Sequence, residues 1–184
     1  MVNDLFNVSS IILKLIKNRI WKSVEDNMNK ILFVCHGNIC RSPMAQFIMQ
    51  DIVNKNNLSD QYEIDSAATT RDEINANGQG HPIDSRAQRI LNKHQIPFNT
   101  HFARQMTKAD YQKYDYLVGM DQENLYDMNR ISGGDPELKE KKLLFYAGSM
   151  FDVDDPWYTG DFETAFQDIK RGCEALFNKI ENKE

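Results

Sequence analysis

Residues 34–43, with the sequence VCHGNICRSP, are the stretch that decides the fold. They follow the apolar run ILFV at residues 31–34 and precede a segment with an inward-facing apolar pattern at residues 44–53. A continuous apolar run is typical of a parallel strand that is covered on both faces. Ser42 and Pro43 favour the start of a helix, Ser42 as a cap and Pro43 in the first turn. The stretch therefore predicts a strand, a tight loop and a helix.

Apolar runs and helical patterns alternate along the rest of the chain. Further strands are predicted at residues 62–67, 116–120 and 142–145, and further helices at residues 84–94, 107–111, 121–132 and 161–179. This alternation predicts an α/β fold, a four-stranded parallel sheet with helices on both faces and a phosphate-binding loop after strand one. Ligands of such sheets bind at the carboxyl ends of the strands, where residues 35–41 leave strand one.

The composition limits the classes of function. The chain has 184 residues and a formal net charge of −5, which argues against general affinity for nucleic acid. The three cysteines form no disulfide framework, and the four histidines show no ligand spacing, so neither a metal site nor a cofactor is expected. Few cysteines fit a reducing cytoplasm, where a thiol stays reactive. We therefore expect a cytoplasmic protein with one main domain.

Residues 1–27 are predicted to be an N-terminal extension, with the domain itself at residues 28–184. Apolar residues in the extension fall near helical spacing, with basic residues between them. A helix that packs on the domain, or a loosely ordered leader, is favoured over a helix that contacts a membrane or a partner. The apolar run is too interrupted for a secretory signal. Met28 lies just before strand one and is an alternative start of translation.

The loop at residues 35–41 has the features of an anion site beside a reactive thiol. Its backbone N–H groups and the positive end of the next helix can surround an anion. Gly37 allows a turn that other residues resist, and Asn38 tolerates the left-handed conformation. Arg41 offers a planar fork to two phosphate oxygens and, with the helix, favours the thiolate of Cys35. Ser42 can donate a hydrogen bond to that sulfur. Attack on a bound phosphate would then give a phosphocysteine.

The spacing of Cys35 and Arg41 is by itself a weak signal, because a buried cysteine at the end of a strand is usually part of the core. The preceding strand, the glycine and the Ser-Pro helix start make the functional interpretation strong. Cleavage of a phosphate ester also needs a proton donor. Asp155, which Pro156 restricts to an extended conformation, is the first candidate, with Asp154 and Asp152 as rivals. A solvated acidic surface loop is an equally good interpretation of these residue types.

These motifs resemble the low-molecular-weight protein tyrosine phosphatases over about residues 29–180. Besides residues 34–43, the segments DSAAT at 65–69, ARQ at 103–105 and DPWY at 155–158 are similar to later signatures of that family. The resemblance implies Cys35 as nucleophile, Arg41 as phosphate clamp, and Asp155 as the acid and then the base toward water. It implies that Asn38 and Ser42 shape the loop. The expected substrate-binding residues are His36, Gly37, Asn38, Ile39, Cys40, Ser42, Trp157 and Tyr158.

The resemblance also implies phosphotyrosine-containing protein substrates, a tyrosine kinase as a partner, and a reversible Cys35–Cys40 disulfide that protects the nucleophile. Ile39 favours phosphotyrosine, because the related protein-arginine phosphatases carry Thr at that position. His101 matches a family histidine that supports the loop. His36 and the segment RDE at residues 71–73 depart from the family, in which aliphatic and aromatic residues line the pocket rim. Peptide specificity is therefore open.

Two other functions compete with phosphatase activity. An arsenate reductase of the same fold needs relay cysteines, and the remaining one, Cys173, lies on the predicted inward face of the last helix. A phosphate-binding module without catalysis needs neither Cys35 nor an acid, and the chain has both. The sequence therefore favours the phosphatase.

Overall fold

The computed structural model of the chain describes residues 28–182, so the predictions made for residues 1–27 lie outside the described residues. The strands are β1 (Asn29–Cys35), β2 (Tyr62–Ala68), β3 (Tyr116–Gly119) and β4 (Glu140–Lys142). The helices are α1 (Arg41–Lys55), α2 (Ser85–Lys93), α3 (Lys108–Lys113), α4 (Gln122–Ser132), α5 (Pro156–Thr159) and α6 (Phe162–Asn182), with 3₁₀ turns at Ser59–Gln61 and Leu143–Ala147. Within these residues no helix has the length and apolar character needed to cross a membrane.

The sheet has four strands in the order β2-β1-β3-β4, and every pairing is parallel. The predicted fold is therefore confirmed. β1 is central because residues 31–34 are fully buried and pair with a strand on each side. At its carboxyl end β1 places Cys35 beside Ala68 of β2. On the other side of β1, β3 ends at Gly119, which pairs with Val34. The loop after β1 therefore opens at the edge where ligands of such sheets bind.

Side chains of β1 alternate between two apolar layers, as the geometry of a strand requires. Ile31 and Phe33 face a layer that includes α1, α2 and α6. Leu32 and Val34 face a smaller layer that contains Tyr111 of α3 and residues of α4. The inward face predicted for the last helix is buried at Phe162, Phe166, Ile169, Cys173, Leu176 and Ile180. Helices therefore cover both faces of the sheet.

The sequence signals at helix ends are confirmed at two places. Thr107 forms a capping box with Asp110 at the start of α3, where the Thr107 backbone N–H donates to the Asp110 carboxylate at 2.7 Å. α4 ends at Ser132, and the next residue, Gly133, caps it with a φ of +88°, a left-handed conformation that glycine adopts without strain.

The prediction of a strand at residues 142–145 is wrong. β4 lies earlier, at Glu140–Lys142, and the apolar residues form the 3₁₀ turn Leu143–Ala147. β3 has four residues, and its last one, Gly119, already pairs with Lys142. Beyond that pair, Leu143 and Leu144 are buried in the core instead of continuing the sheet. Apolar periodicity alone does not distinguish such a buried turn from a strand.

The close packing of α6 on this turn gives a stability test at Gly172. A Cβ atom on Gly172 would lie 2.5 Å from Cγ of Leu143, which is fully buried. In an open helix Gly→Ala stabilises by about 1 kcal/mol. We expect Gly172→Ala to lower the free energy of unfolding instead, by about 1–3 kcal/mol, because the core is overpacked. Chemical denaturation measures the change. Glu174→Ala, two positions on and half exposed, should change it by less than about 0.5 kcal/mol; a stabilised Gly172→Ala would contradict the packing argument.

Candidate active site

The loop at residues 35–41, here called the Cys35 loop, curls round the sulfur of Cys35. The backbone N–H of Asn38 donates to Cys35 Sγ at 3.3 Å, and Ser42 Oγ lies 3.0 Å from the same sulfur. The sulfur lies just before α1, which begins at Arg41. Cys35 is 3 % exposed, so water screens these interactions little. The backbone N–H of Asn38, the Ser42 hydroxyl and the positive end of α1 therefore surround the sulfur.

Asn38 holds the loop in its shape. It has a φ of +59°, the left-handed conformation that the sequence predicts for this residue, and it is fully buried. Its side-chain Nδ2 donates to Ser42 Oγ and to Ser66 Oγ, both at 2.9 Å. Its Oδ1 accepts from the backbone N–H of Arg104 at 3.1 Å, and its carbonyl oxygen lies 2.9 Å from His101 Nε2. One residue therefore ties the loop to α1, β2 and residues 101–104.

Two local predictions about the loop are wrong. Gly37 is not among the residues with positive φ; the structure needs a glycine because a Cβ there would lie 2.9 Å from Cγ of Glu73. Ser42 does not cap α1, since Cys40 occupies the cap position and no side chain caps it. The hydroxyl of Ser42 faces Cys35 instead. Ser42 therefore contacts the Cys35 sulfur, as the sequence analysis also predicted.

Arg41 is 2 % exposed, and three oxygen acceptors surround its guanidinium. Nη1 donates to the Asp121 carboxylate at 2.6 Å and to the carbonyl oxygen of Val153 at 3.1 Å. Nη2 donates to the Asp155 carboxylate at 2.5 Å. Burial alone would lower the pKa of Arg41, but the charges of Cys35, Asp155 and Asp121 outweigh it and raise the pKa. The side chain is therefore a fixed cation at the base of the site.

Asp121 is a site residue that the sequence analysis missed. We interpreted it as the start of a helix, and it does cap α4, accepting from the backbone N–H of Asn124 at 2.6 Å. Its other oxygen binds Arg41. A signal was available, because Asp121 follows β3 at the same sheet edge as Cys35, where polar side chains converge on a ligand.

The structure separates the three candidate acids. Asp155 lines the cavity above the Cys35 loop, and its φ of −79° and ψ of 111° are the extended conformation expected before Pro156. Its Oδ1 accepts from the backbone N–H of Trp157 at 2.9 Å, which orients the carboxylate. Asp154 is exposed and Asp152 pairs with Lys142 at 2.7 Å; neither lines this cavity. Of the three, Asp155 is the carboxylate that faces the loop.

The cavity has a volume of about 220 Å³ and collects most of the predicted site residues. Its lining consists of Cys35, His36, Gly37, Ile39, Cys40, Arg41, Asp72, Glu73, Asp155, Trp157 and Tyr158. Asn38 and Ser42 are absent from this surface; both are fully buried and lie behind it. Asp72 and Glu73 are additional. Among residues 28–182 no three His, Cys, Asp or Glu side chains are grouped as metal ligands would be.

Cys40 and Cys173 occupy different surroundings. Both are unpaired thiols, as is Cys35, so the Cys35–Cys40 disulfide stays a prediction. Cys40 lines the cavity beside Cys35, and burial, followed by the charge of Asp84, raises the pKa of its thiol. Cys173 is fully buried among core residues, and its thiol points to the carbonyl oxygen of Ala45 at 3.7 Å. Cys173 is therefore a core residue.

His101 supports the loop in its neutral form, which gives a test by pH. Burial lowers the pKa of His101, and the hydrogen bond to the Asn38 carbonyl only partly offsets this. The unfolded chain therefore binds this proton at higher pH than the folded protein, and the stability that the residue contributes is lost as pH falls below roughly 6.5. We expect wild type to have a higher melting temperature than His101→Gln, and the difference between them to be smaller at about pH 5 than at about pH 7.5.

The control for this measurement is His81→Gln, because the His81 side chain is 56 % exposed on the surface. This variant should show no such narrowing at low pH. A difference for His101→Gln that is the same at both pH values would contradict a buried neutral imidazole.

Comparisons with known proteins agree with this geometry. The sequence profile described as "Low molecular weight phosphotyrosine protein phosphatase" matches residues 30–184. The phosphatase of that name from Homo sapiens is 40 % identical over 84 % of this chain and 98 % of its own length. The structure of YfkJ from Bacillus subtilis aligns with a TM-score of 0.79 and 39 % identity, over 85 % of this chain and 97 % of that one. A drosophila arginine phosphatase aligns at 0.75 and 29 %, over 84 % and 99 %. The chain belongs to the low molecular weight phosphotyrosine protein phosphatase family.

Proposed function

We propose that the chain hydrolyses phosphotyrosine, and small aryl phosphates, through a phosphocysteine intermediate. The observation that carries this proposal is the meeting of three groups on one cavity: the Cys35 sulfur, the Arg41 guanidinium and the Asp155 carboxylate. Cys35 is the nucleophile, Arg41 is the phosphate clamp and Asp155 handles the proton. The domain that carries the activity is residues 28–184.

In the first step the thiolate of Cys35 attacks phosphorus while the bond from phosphorus to the tyrosyl oxygen breaks. Protonated Asp155 donates its proton to that oxygen, so the leaving group departs as a neutral phenol. The negative charge on the other phosphate oxygens is stabilised by Arg41 and the loop N–H groups. In the second step water attacks the phosphocysteine, Asp155 takes a proton from that water, and the Cys35 thiolate leaves.

The ion pair between Arg41 and Asp155 connects binding to proton transfer. A bound phosphate competes with Asp155 for Nη2 of Arg41, since an arginine fork suits two phosphate oxygens. Arrival of the phosphate therefore releases the Asp155 carboxyl group from Arg41, and this group can then face the leaving oxygen. Asp121 keeps Arg41 in place meanwhile.

The residues at the cavity support phosphotyrosine over the alternatives. Ile39 lines the cavity where the resembling arginine phosphatases carry Thr. An arsenate reductase would need a relay thiol, whereas Cys173 is buried in the core. Trp157 and Tyr158 line the cavity and offer aromatic faces to a phenyl ring. The natural substrates are then phosphotyrosine proteins, with a tyrosine kinase as partner, in a cytoplasm that keeps the thiols reduced.

Replacement of the two reacting groups tests the mechanism. We expect Cys35→Ser to abolish hydrolysis of an aryl phosphate and of a phosphotyrosine peptide. Asp155→Asn should lower kcat by about 10²- to 10⁴-fold, because the leaving oxygen loses its proton donor. The loss should shrink for aryl phosphates with more acidic leaving groups. Steady-state kinetics across a leaving-group series measures it.

Asp154→Asn is the matched control, because Asp154 is adjacent and exposed but lies outside the cavity lining. It should retain wild-type kinetics. Activity in Cys35→Ser would refute the phosphocysteine, and a larger loss in Asp154→Asn than in Asp155→Asn would move the acid by one residue. Faster hydrolysis of phosphoarginine than of phosphotyrosine would refute the substrate assignment.

Asp121→Asn tests whether Arg41 must be held from behind. Asn keeps a good helix cap and Asp155 still pairs with Arg41, so the fold should be retained, but the charge of Asp121 beside Arg41 is lost. A hydrogen bond between charged groups contributes roughly 1.5–3 kcal/mol, so we expect kcat/KM for an aryl phosphate to fall by about tenfold or more. Asp161→Asn is the control, since Asp161 accepts from the Thr164 N–H at 2.9 Å and lies outside the cavity lining. Equal kinetics in the two variants would contradict this role.

A further inference from the structure

One edge of the cavity consists of ionisable residues that a phosphate site does not need. Asp72 and Glu73 lie in the segment after β2 and line the cavity. The backbone N–H and the hydroxyl of Thr70 both donate to the carbonyl oxygen of His36, at 3.1 and 3.2 Å. Glu73 packs against Gly37 so closely that a Cβ atom on residue 37 would lie 2.9 Å from Cγ of Glu73. The edge is therefore fixed to the Cys35 loop.

Each carboxylate at this edge has a histidine partner. Asp72 pairs with His36 at 2.7 Å, and Glu73 pairs with His81 at 2.8 Å. The Asp72 side chain is 67 % exposed, so it stays accessible to a second partner from outside. His36 also lines the cavity, so this edge is polar.

The charges around the cavity are unequal. Among its described lining residues, three are carboxylates, Asp72, Glu73 and Asp155, and Arg41 alone is a lysine or arginine. Arg41 lies at the base, where Asp121 and Asp155 already bind it. Arg86 lies 4.8 Å from the Trp157 ring, but it is outside the cavity lining and both Asp84 oxygens bind it. Apart from Asp155 at the base, the carboxylates of the lining are Asp72 and Glu73 at the mouth, although the substrate proposed for the cavity is an anion.

An acidic mouth repels a phosphate and attracts a cation beside it. We propose that Asp72 and Glu73 select phosphotyrosine segments that carry a lysine or arginine next to the phosphotyrosine. The inference rests on the proposed function and names its substrate class. The phosphate binds the loop, the ring lies against Trp157 and Tyr158, and the neighbouring basic side chain reaches the Asp72 edge. A glutamate in the same place would meet like charge and bind worse.

The test compares three phosphotyrosine peptides that differ only in the residues beside the phosphotyrosine, which are Lys, Ala or Glu. We expect wild type to have the highest kcat/KM for the Lys peptide and the lowest for the Glu peptide. Asp72→Asn should reduce the Lys-to-Glu ratio by up to about fivefold, the effect of one exposed ion pair. Asp72→Asn with Glu73→Gln should reduce it further. Added salt should reduce the wild-type ratio, since exposed charges are screened.

Glu174→Gln is the matched control, because Glu174 has its own ion pair with Lys170 at 2.7 Å and lies outside the cavity lining. Its ratio should equal that of wild type. A wild-type preference for the Glu peptide would overturn the inference, and so would an unchanged Lys-to-Glu ratio in the Asp72 and Glu73 variants. In either case the proposed function stands as long as wild type hydrolyses the aryl phosphate. No hydrolysis of the aryl phosphate or of any peptide by wild type overturns both. Each ratio is taken within one variant, so a partly unfolded sample does not alter it.

Discussion

The buried guanidinium of Arg41 is the constraint on which the site depends. A charge that is 2 % exposed is costly unless it is paired and hydrogen-bonded. The fold meets this requirement with oxygens from two separate parts of the chain, Asp121 after β3 and residues 153–155 before α5. These segments must therefore lie at the carboxyl end of β1, where Arg41 begins α1. The ion pairs that keep Arg41 charged also bring Asp155 to the cavity.

Asn38 meets a second requirement, which is to hold a loop whose N–H groups point inward. A left-handed φ is unfavourable for most residues, and Asn tolerates it best after glycine. Its amide reaches Ser42 and Ser66, while its carbonyl oxygen meets His101. Replacing any one of these partners leaves a buried polar group with fewer hydrogen bonds, which is costly. The shape of the anion site is thus maintained from behind, by residues that do not touch the cavity.

Much of this arrangement could be predicted from the sequence, because its signals are local. The strand, the loop and the helix around Cys35 follow from residue types within about a dozen positions, and Gly133 ends its helix as expected. The predictions that were wrong concern features that depend on tertiary packing. Leu143 and Leu144 pack in the core instead of pairing in the sheet, and Gly37 is needed for the approach of Glu73, which lies 36 positions along the chain. The double role of Asp121 was hidden because its local signal, a helix cap, was already a sufficient explanation.

The distribution of charge in the cavity separates chemistry from selectivity. At the base of the cavity, positive charge from Arg41 and the start of α1 is directed at one point. The phosphate group of any phosphate ester could bind there. The mouth carries Asp72 and Glu73, which oppose the approach of an anion and so cannot serve affinity for phosphate itself. Carboxylates that weaken binding of the phosphate group can still contribute to specificity if they discriminate among the residues beside the phosphotyrosine. Because exposed pairs contribute little each, such discrimination is graded, and it acts through the residues beside the phosphotyrosine without changing the reaction at Cys35.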